Sequence, residues 1–263
     1  MSGARNVAAI VQKEWRHYFG SPIAWVALFV WTMLFGIFFY FAFSFFVQRS
    51  AMSAPGMEMG GGPAMSLNEW VIAPVLHNMA VVALFITPML TMRLFAEEKR
   101  AGTIELLATA PITDLQIVLG KFLAAAGLFA LMILAGLVNV LVLWHYATVN
   151  PEWKPVATGA LALLLFGCCF LAMGLFVSTL TRNQIVAAIL SFCLFLGMWT
   201  LGWADDPMAG PVGKAVAYLG VTTHLEELMK GVLALKDLVF YASLIVFGLF
   251  LAHQSVESQR WRA

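Results

Sequence analysis

The chain has 263 residues, of which 62% are hydrophobic and 11% are charged, whereas ordinary soluble domains carry roughly 25% charged residues. With a mean hydropathy of +0.87 the chain has too little polar surface to cover a water-soluble exterior, so a soluble globular protein is excluded. The net charge of +1 gives no indication of a nucleic-acid partner.

Six stretches without Asp, Glu, Lys or Arg follow one another along the chain. Each is long enough for the roughly 20 residues with which a helix crosses the hydrocarbon. We therefore predict an all-α membrane protein, a single domain over residues 1–263. The predicted spans are at about 23–47, 71–94, 117–146, 157–181, 184–203 and 237–256, after an interfacial helix at 5–20.

The basic residues are unevenly distributed over the two sides that alternate loops would occupy. Ten Lys and Arg fall on the side of the N-terminus and five on the other. Because cytoplasmic loops carry the excess of Lys and Arg, both termini and the loop between spans 2 and 3 are predicted to be cytoplasmic.

An amphipathic helix precedes the first span. One arc of its helical wheel gathers the apolar residues Val7, Ile10, Val11, Trp15 and Tyr18. Lys13 and Arg16 fall elsewhere, which is typical of a helix in the membrane interface. Glu14 lies within the apolar arc, so it should face protein or reach back to the interface. A plain interfacial anchor is the alternative interpretation.

The external loop between spans 1 and 2 is rich in Gly, Pro and Met, which predicts an irregular segment. Its methionines are Met52, Met57, Met59 and Met65. Thioethers suit Cu(I), but no Cys or His accompanies them and Met is common throughout the chain. We therefore predict no metal site here, with a Cu(I) site as the alternative.

The loop between spans 2 and 3 is the most patterned part of the sequence. A helix ending in Glu97, Glu98, Lys99 and Arg100 is broken by Gly102. A short helix over 103–109 is then stopped by Pro111, and Thr113 with Gln116 forms a capping box that starts span 3.

The short helix over 103–109 is well shaped to press into a cleft on a cytoplasmic partner. Ile104, Leu106 and Leu107 would supply apolar contact, and Glu105 would supply a charge. A solvated connector with helix caps is the alternative interpretation of the same pattern.

Spans 5 and 6 are separated by a second patterned segment, on the external side. Thr223 and Glu226 form another capping-box pattern, and Gly231 favours a helix end after one apolar stripe. The stripe comprises Leu225, Leu228, Met229 and Val232. We predict a short outer helix in the interface, with Asp237 as the cap of span 6.

Several catalytic and nucleotide-binding motifs are absent from the sequence. It contains no G-x-x-x-x-G-K-[ST], no G-x-S-x-G and no H-E-x-x-H, and its histidines show no metal-ligand spacing. The sequence therefore predicts neither an enzyme nor a cofactor held by this chain.

Three stretches resemble the permease subunits of ABC-2-type transporters, in particular the gliding-motility-associated, GldF-like branch. These are KEWRHYFGSPIAW (Lys13–Trp25), TMRLFAEEKRAGTIELLATAPITDLQIVLGK (Thr91–Lys121) and HLEELMKGVLALKDLVFY (His224–Tyr241). The resemblance covers nearly the whole chain apart from the external Met- and Gly-rich loop.

The resemblance implies a six-span permease of a bacterial inner membrane, with an N-terminal elbow helix and a coupling helix between spans 2 and 3. That coupling helix would dock on a separate P-loop ATPase, which binds ATP and Mg²⁺. A second permease chain, identical or different, would complete an export path.

The residues that match the family's motifs fall into three groups. The coupling group is Glu97, Glu98, Arg100, Gly102, Thr103, Glu105, Leu106, Leu107 and Pro111. The elbow group is Lys13, Glu14 and Arg16, and the external hairpin group is His224, Glu226, Gly231 and Asp237. We further predict that Glu14 pairs with Arg93 or Arg100, so that the elbow and coupling helices move together.

Two other functions fit parts of the pattern. A mechanical subunit would transport nothing and pass ATPase-driven motion to an extracytoplasmic or membrane accessory protein. A membrane enzyme or scaffold without any ATPase is disfavoured by the missing catalytic motifs.

Overall fold

The computed structural model describes residues 3–52, 66–102, 112–146, 151–204 and 210–260. Within these ranges the chain is helical and contains no strand. The helices are α1 (Gly3–Gly20), α2 (Pro22–Met52), α3 (Ala73–Thr91), α4 (Ala96–Ala101), α5 (Asp114–Tyr146), α6 (Trp153–Leu180), α7 (Gln184–Thr200), α8 (Gly210–Tyr218), α9 (Val221–Met229) and α10 (Leu235–Arg260). A π-helical turn, Asn68–Ile72, leads into α3, and a 3₁₀ turn, Leu201–Ala204, follows α7.

Six helical stretches are long and apolar enough to cross a membrane, which confirms the predicted all-α membrane protein. They are Pro22–Ala51, Asn68–Ala101, Asp114–Tyr146, Trp153–Leu180, Gln184–Trp203 and Leu235–Ser258. We number them spans 1 to 6. A helix satisfies its own backbone hydrogen bonds, so it can lie in lipid without water as a partner.

Local sequence signals set several helix ends. Pro22 opens α2, where its missing N–H and fixed φ are compatible with a first helical residue. Gly102 ends α4 with φ of 70°, a conformation that favours glycine. Asn183 caps α7, its side chain accepting a hydrogen bond from the Ile185 amide at 3.0 Å.

Helix α6 is the centre of the bundle and packs against α3, α5, α7, α9 and α10. Its Phe170 ring stacks on Phe195 of α7 at 4.4 Å, and both side chains are fully buried. Gly167 lets Phe129 of α5 approach so closely that an added Cβ would lie 2.0 Å from the ring. Small residues at helix contacts are the usual means of close packing in membranes.

Helix α1 packs along α5 as part of the bundle. Ile10 and Tyr18 of its apolar face are buried, and the Trp15 indole donates to the Ala124 carbonyl at 3.1 Å. The apolar face predicted for the membrane interface therefore contacts protein. We name the end of the bundle that carries α1 and α4 the elbow end, and the end that carries α8 and α9 the hairpin end.

Candidate functional site

A buried ion cluster joins three helices at the elbow end. Lys121 of α5 is 1% exposed, and its Nζ lies 2.9 Å from Glu14 Oε1 of α1 and 2.9 Å from Glu98 Oε1 of α4. The ammonium also lies 5.2 Å from the centroid of the Phe95 ring. Burying a charge is unfavourable unless it is paired, so Lys121 holds α1 and α4 together through their carboxylates.

The cluster continues outward to the surface. Lys13 donates to Glu98 at 3.1 Å, with 62% of its side chain exposed. His17 lies 4.0 Å from Glu97 at the same rim. The charges of Glu14 and Glu98 are thus matched by those of Lys121 and Lys13, and the strength of each contact falls from the interior to the solvent.

The predicted partner of Glu14 is wrong. We expected Arg93 or Arg100, whereas the structure pairs Glu14 with Lys121. Position 121 lies two turns into α5, where that helix packs against α1, so its ammonium reaches the carboxylate. Of the two orientations predicted for Glu14, towards protein or back to the interface, its 6% exposure and its bond to Lys121 show the first.

A serine on α6 fixes the start of α4. Ser178 Oγ accepts hydrogen bonds from the Phe95 and Ala96 amides, both at 3.1 Å, and donates to the Met92 carbonyl at 3.3 Å. Lys99 donates to the Thr179 carbonyl next to it. Because the first amides of a helix have no partner within it, Ser178 replaces the missing cap and ties α4 to the central helix.

The contact continues from α6 to α10. Thr179 Oγ1 and Ser255 Oγ form a hydrogen bond of 2.7 Å. Helix α4 is therefore connected through side chains to α1 and α5 on one side and to α6 and α10 on the other.

The predicted coupling group is only partly within the described residues. Glu97, Glu98 and Arg100 lie on α4, and Gly102 ends it as predicted. The remaining members lie outside the described residues: Thr103, Glu105, Leu106, Leu107 and Pro111. After them, Gln116 N lies 3.4 Å from Thr113 Oγ1 and Thr113 N lies 3.5 Å from Gln116 Oε1, which confirms the predicted capping box.

The hairpin end carries a second buried pair. His224 Nδ1 lies 2.6 Å from Asp237 Oδ1, and His224 Nε2 lies 3.0 Å from the Tyr218 carbonyl. Because a carbonyl only accepts, Nε2 carries a hydrogen. The imidazole stacks on Phe240 with ring centroids 3.9 Å apart, and Tyr241 donates to the Val221 carbonyl at 2.7 Å. These contacts join the outer helices to span 6.

Two details predicted for the hairpin end are wrong. Helix α9 begins at Val221 after Gly220 and has no side-chain cap, and Thr223 Oγ1 donates to the Ala217 carbonyl at 3.1 Å instead of forming a capping box with Glu226. Asp237 lies in the first turn of α10, but its carboxylate bonds His224. The predicted role of Gly231 is confirmed, since it follows α9 with φ of 89°.

Sequence reasoning missed Lys121 as the partner of Glu14 and missed Ser178 as a site residue. A lysine beside an apolar run is itself a signal, because an ionisable residue inside a membrane bundle usually has a partner. Ser178 gave no such signal, since serine is common at helix contacts in membranes.

The described residues contain no group of three or more His, Cys, Asp or Glu side chains that could hold a metal ion. Of the loop methionines, Met57, Met59 and Met65 lie outside the described ranges.

Residues 8–251 match the model of a family described as ABC-2 family transporter protein. The match includes both buried clusters, from Glu14 to Asp237. No curated protein matches the chain.

Proposed function

Because this chain belongs to the ABC-2 transporter family, we propose that it is an exporter permease of the gliding-motility-associated branch that couples to a separate ATPase. Family membership and the six apolar helices make it a multi-pass membrane subunit of an ABC transporter. In the proposal, the elbow end faces the cytoplasm of a bacterial inner-membrane protein, and two permease chains form the translocation path.

The observation that carries the proposal is the Lys121 cluster. It connects α4, which directly precedes the predicted coupling residues 103–111, to α1 and α5. A movement imposed on this segment by an ATPase would pass through paired charges into two neighbouring helices, as rigid elements transmit motion in packed bundles. This chain would transmit that motion, while ATP and Mg²⁺ would bind the partner.

A pull-down tests the proposed ATPase. The chain is tagged at its C-terminus, extracted from native membranes in mild detergent, and its co-purifying proteins are identified by mass spectrometry. We expect a P-loop ATPase in near-equal amount. Glu105→Arg should remove it, because a charge reversal at the docking surface opposes association.

Glu152→Arg is the matched control. Glu152 is exposed at the opposite end of the spans and caps α6 without a side-chain hydrogen bond, so the same charge reversal should leave the ATPase bound. Equal ATPase recovery with both variants would contradict the docking role of residues 103–111. Recovery of the chain without any ATPase would contradict the proposal as a whole.

The mechanical alternative predicts a different set of partners. An extracytoplasmic or accessory membrane protein would co-purify with the ATPase, and reconstituted vesicles would hydrolyse ATP without moving a substrate. Stimulated hydrolysis with transport would support the exporter.

A further inference from the structure

A cavity of about 530 Å³ opens at the elbow end between α1, α3 and α4. This volume is within the roughly 300–1,000 Å³ of small-molecule sites. Its lining divides into two parts. Ile23, Met89, Leu90 and Leu94 give it an apolar side, whereas Tyr18, Arg93 and the residues of the ion cluster give it a polar side.

The polar side contains two donor groups that the described part of the chain leaves without partners. Tyr18 is 6% exposed, and its hydroxyl has no hydrogen-bond partner. Arg93 Nε is buried and also has no partner. A buried polar atom without a partner is unfavourable, so two of them lining one cavity indicate a ligand that accepts hydrogen bonds.

The Tyr18 hydroxyl is suited to donate. Burial raises its pKa above the usual value, and the neighbouring Glu14 carboxylate raises it further. The phenol therefore keeps its proton at neutral pH and can bond an anionic oxygen.

Two of the carboxylates that line the cavity, those of Glu14 and Glu98, already have a cationic neighbour in Lys121. The Glu97 side chain is 38% exposed at the rim, where solvent screens its charge. Among the described residues that line the cavity, Lys13 and Lys121 form salt bridges with Glu14 and Glu98, whereas Arg93 Nε has no hydrogen-bond partner. Of these lysine and arginine cations, the Arg93 guanidinium is thus the one that remains for a ligand, and a guanidinium binds phosphate oxygens in a fixed geometry.

We propose that this cavity binds a membrane phospholipid. Its phosphate accepts hydrogen bonds from the Tyr18 hydroxyl and the Arg93 guanidinium, and the start of its acyl chains lies along Ile23, Met89, Leu90 and Leu94. The apolar side favours a lipid over free phosphate, which would leave that surface uncovered. The cavity lies beside the start of span 1 and the end of span 2, and the ends of membrane-spanning helices are where lipid headgroups are met. The inference therefore requires only a membrane protein and does not depend on ATPase coupling.

Native mass spectrometry of the detergent-purified chain, titrated with phosphatidylglycerol, tests the site. We expect one tightly retained lipid, and Arg93→Gln should weaken its binding about tenfold or more. Tyr18→Phe should weaken it by a smaller factor, because it removes one hydrogen bond and keeps the ring.

Matched controls separate this site from general lipid contact. Arg182→Gln removes an exposed arginine at the same end, and Tyr40→Phe removes an exposed hydroxyl. Both should leave the retained lipid unchanged. Equal lipid binding by Arg93→Gln and Arg182→Gln would overturn the proposal.

Thermal unfolding in detergent gives a second readout that also checks folding. Phosphatidylglycerol should raise the unfolding temperature of the wild type, because a ligand that binds only the native state stabilises it, and this increase should be smaller in both site variants. Without lipid, Tyr18→Phe should be at least as stable as the wild type. If inorganic phosphate stabilised the protein as well as the lipid did, the site would be a phosphate site and the phospholipid proposal would be wrong.

Discussion

The two ends of the bundle both contain a buried pair of ionisable side chains, but the pairs join very different parts of the chain. At the hairpin end His224 and Asp237 are 13 residues apart. At the elbow end Glu14 and Lys121 are 107 residues apart, and Lys121 also holds Glu98. The first pair closes a local unit, whereas the second connects three separate helices.

This difference has a mechanical consequence. A displacement of α9 is held locally by the contacts to α10 and α6. A displacement of α4 changes the environment of a charge shared with α1 and α5. The elbow end is therefore the better candidate for transmitting motion through the bundle.

Lys121→Met should have the largest effect, because it leaves the Glu14 and Glu98 carboxylates without their shared cation. Breaking a buried ion pair on one side lowers stability by about 3–5 kcal/mol. Unfolding by SDS titration in mixed micelles would measure the change in free energy.

Lys236→Met is the control for Lys121→Met. Lys236 bonds Glu227 at 3.0 Å at the hairpin end, but both side chains are well exposed, so the free energy of unfolding should change little. Equal effects of the two variants would mean that the Lys121 cluster is not the stabilising feature proposed here.

Asp237→Asn tests the hairpin pair and should have a smaller effect. The asparagine side chain can still hydrogen-bond His224 Nδ1, but the carboxylate charge is lost. We expect a decrease of about 1.5–3 kcal/mol, the range for hydrogen bonds to charged groups. The same micelle titration applies, with Glu227→Gln as an exposed control on the same segment. Wild-type stability of Asp237→Asn would show that the carboxylate charge at this end is dispensable.

The two ends also differ in what surrounds their closely packed glycines. A Cβ at Gly220 would lie 2.3 Å from the backbone N of Gly202, whereas one at Gly120 would lie 2.6 Å from Cγ2 of the Ile10 side chain. A side chain can rotate away more easily than backbone can move. Gly220→Ala should therefore cost about 1–3 kcal/mol, and Gly120→Ala should cost less.

Gly197→Ala provides the baseline for the glycine pair. No atom lies within 4 Å of its added Cβ, and alanine is the better helix former by about 1 kcal/mol. Thermal unfolding of the three variants would rank them, and the reverse order for Gly220 and Gly120 would indicate that the elbow contact is the more rigid one.

Features set by residues close together in sequence were predicted more often than contacts between residues far apart in sequence. The six spans follow from apolar length, and the Thr113–Gln116 box follows from a local pattern that no other contact displaced. The Thr223–Glu226 pattern does not form a capping box, because the Thr223 hydroxyl donates to the Ala217 carbonyl instead. Asp237 does not cap α10, because the fold places His224 within hydrogen-bond distance of its carboxylate.

Less of the elbow cluster could be predicted from the sequence. The position of Glu14 in the apolar arc correctly indicated a protein contact, but several cations were available, and only the packing of α1 on α5 selects Lys121. Local patterns set some helix ends, such as those at Gly102 and Asn183, while the partner of a charge depends on the tertiary arrangement.

Lys13→Gln should have the smallest effect and shows how sharply the elbow cluster depends on burial. Lys13 and Lys121 bond the same oxygen of Glu98, at 3.1 and 2.9 Å, but the Lys13 side chain is 62% exposed. Solvent screening reduces such a pair to less than about 1 kcal/mol, and added salt should weaken it further. A double-mutant cycle with Glu98→Gln, measured by SDS titration at low and high salt, isolates this interaction. A coupling energy as large as the effect of Lys121→Met, and unchanged by salt, would mean that Lys13 behaves as a buried charge. Lys13, Glu14, Glu98 and Lys121 would then form one rigid unit. A small, salt-sensitive coupling would leave Lys121 as the member that joins the three helices.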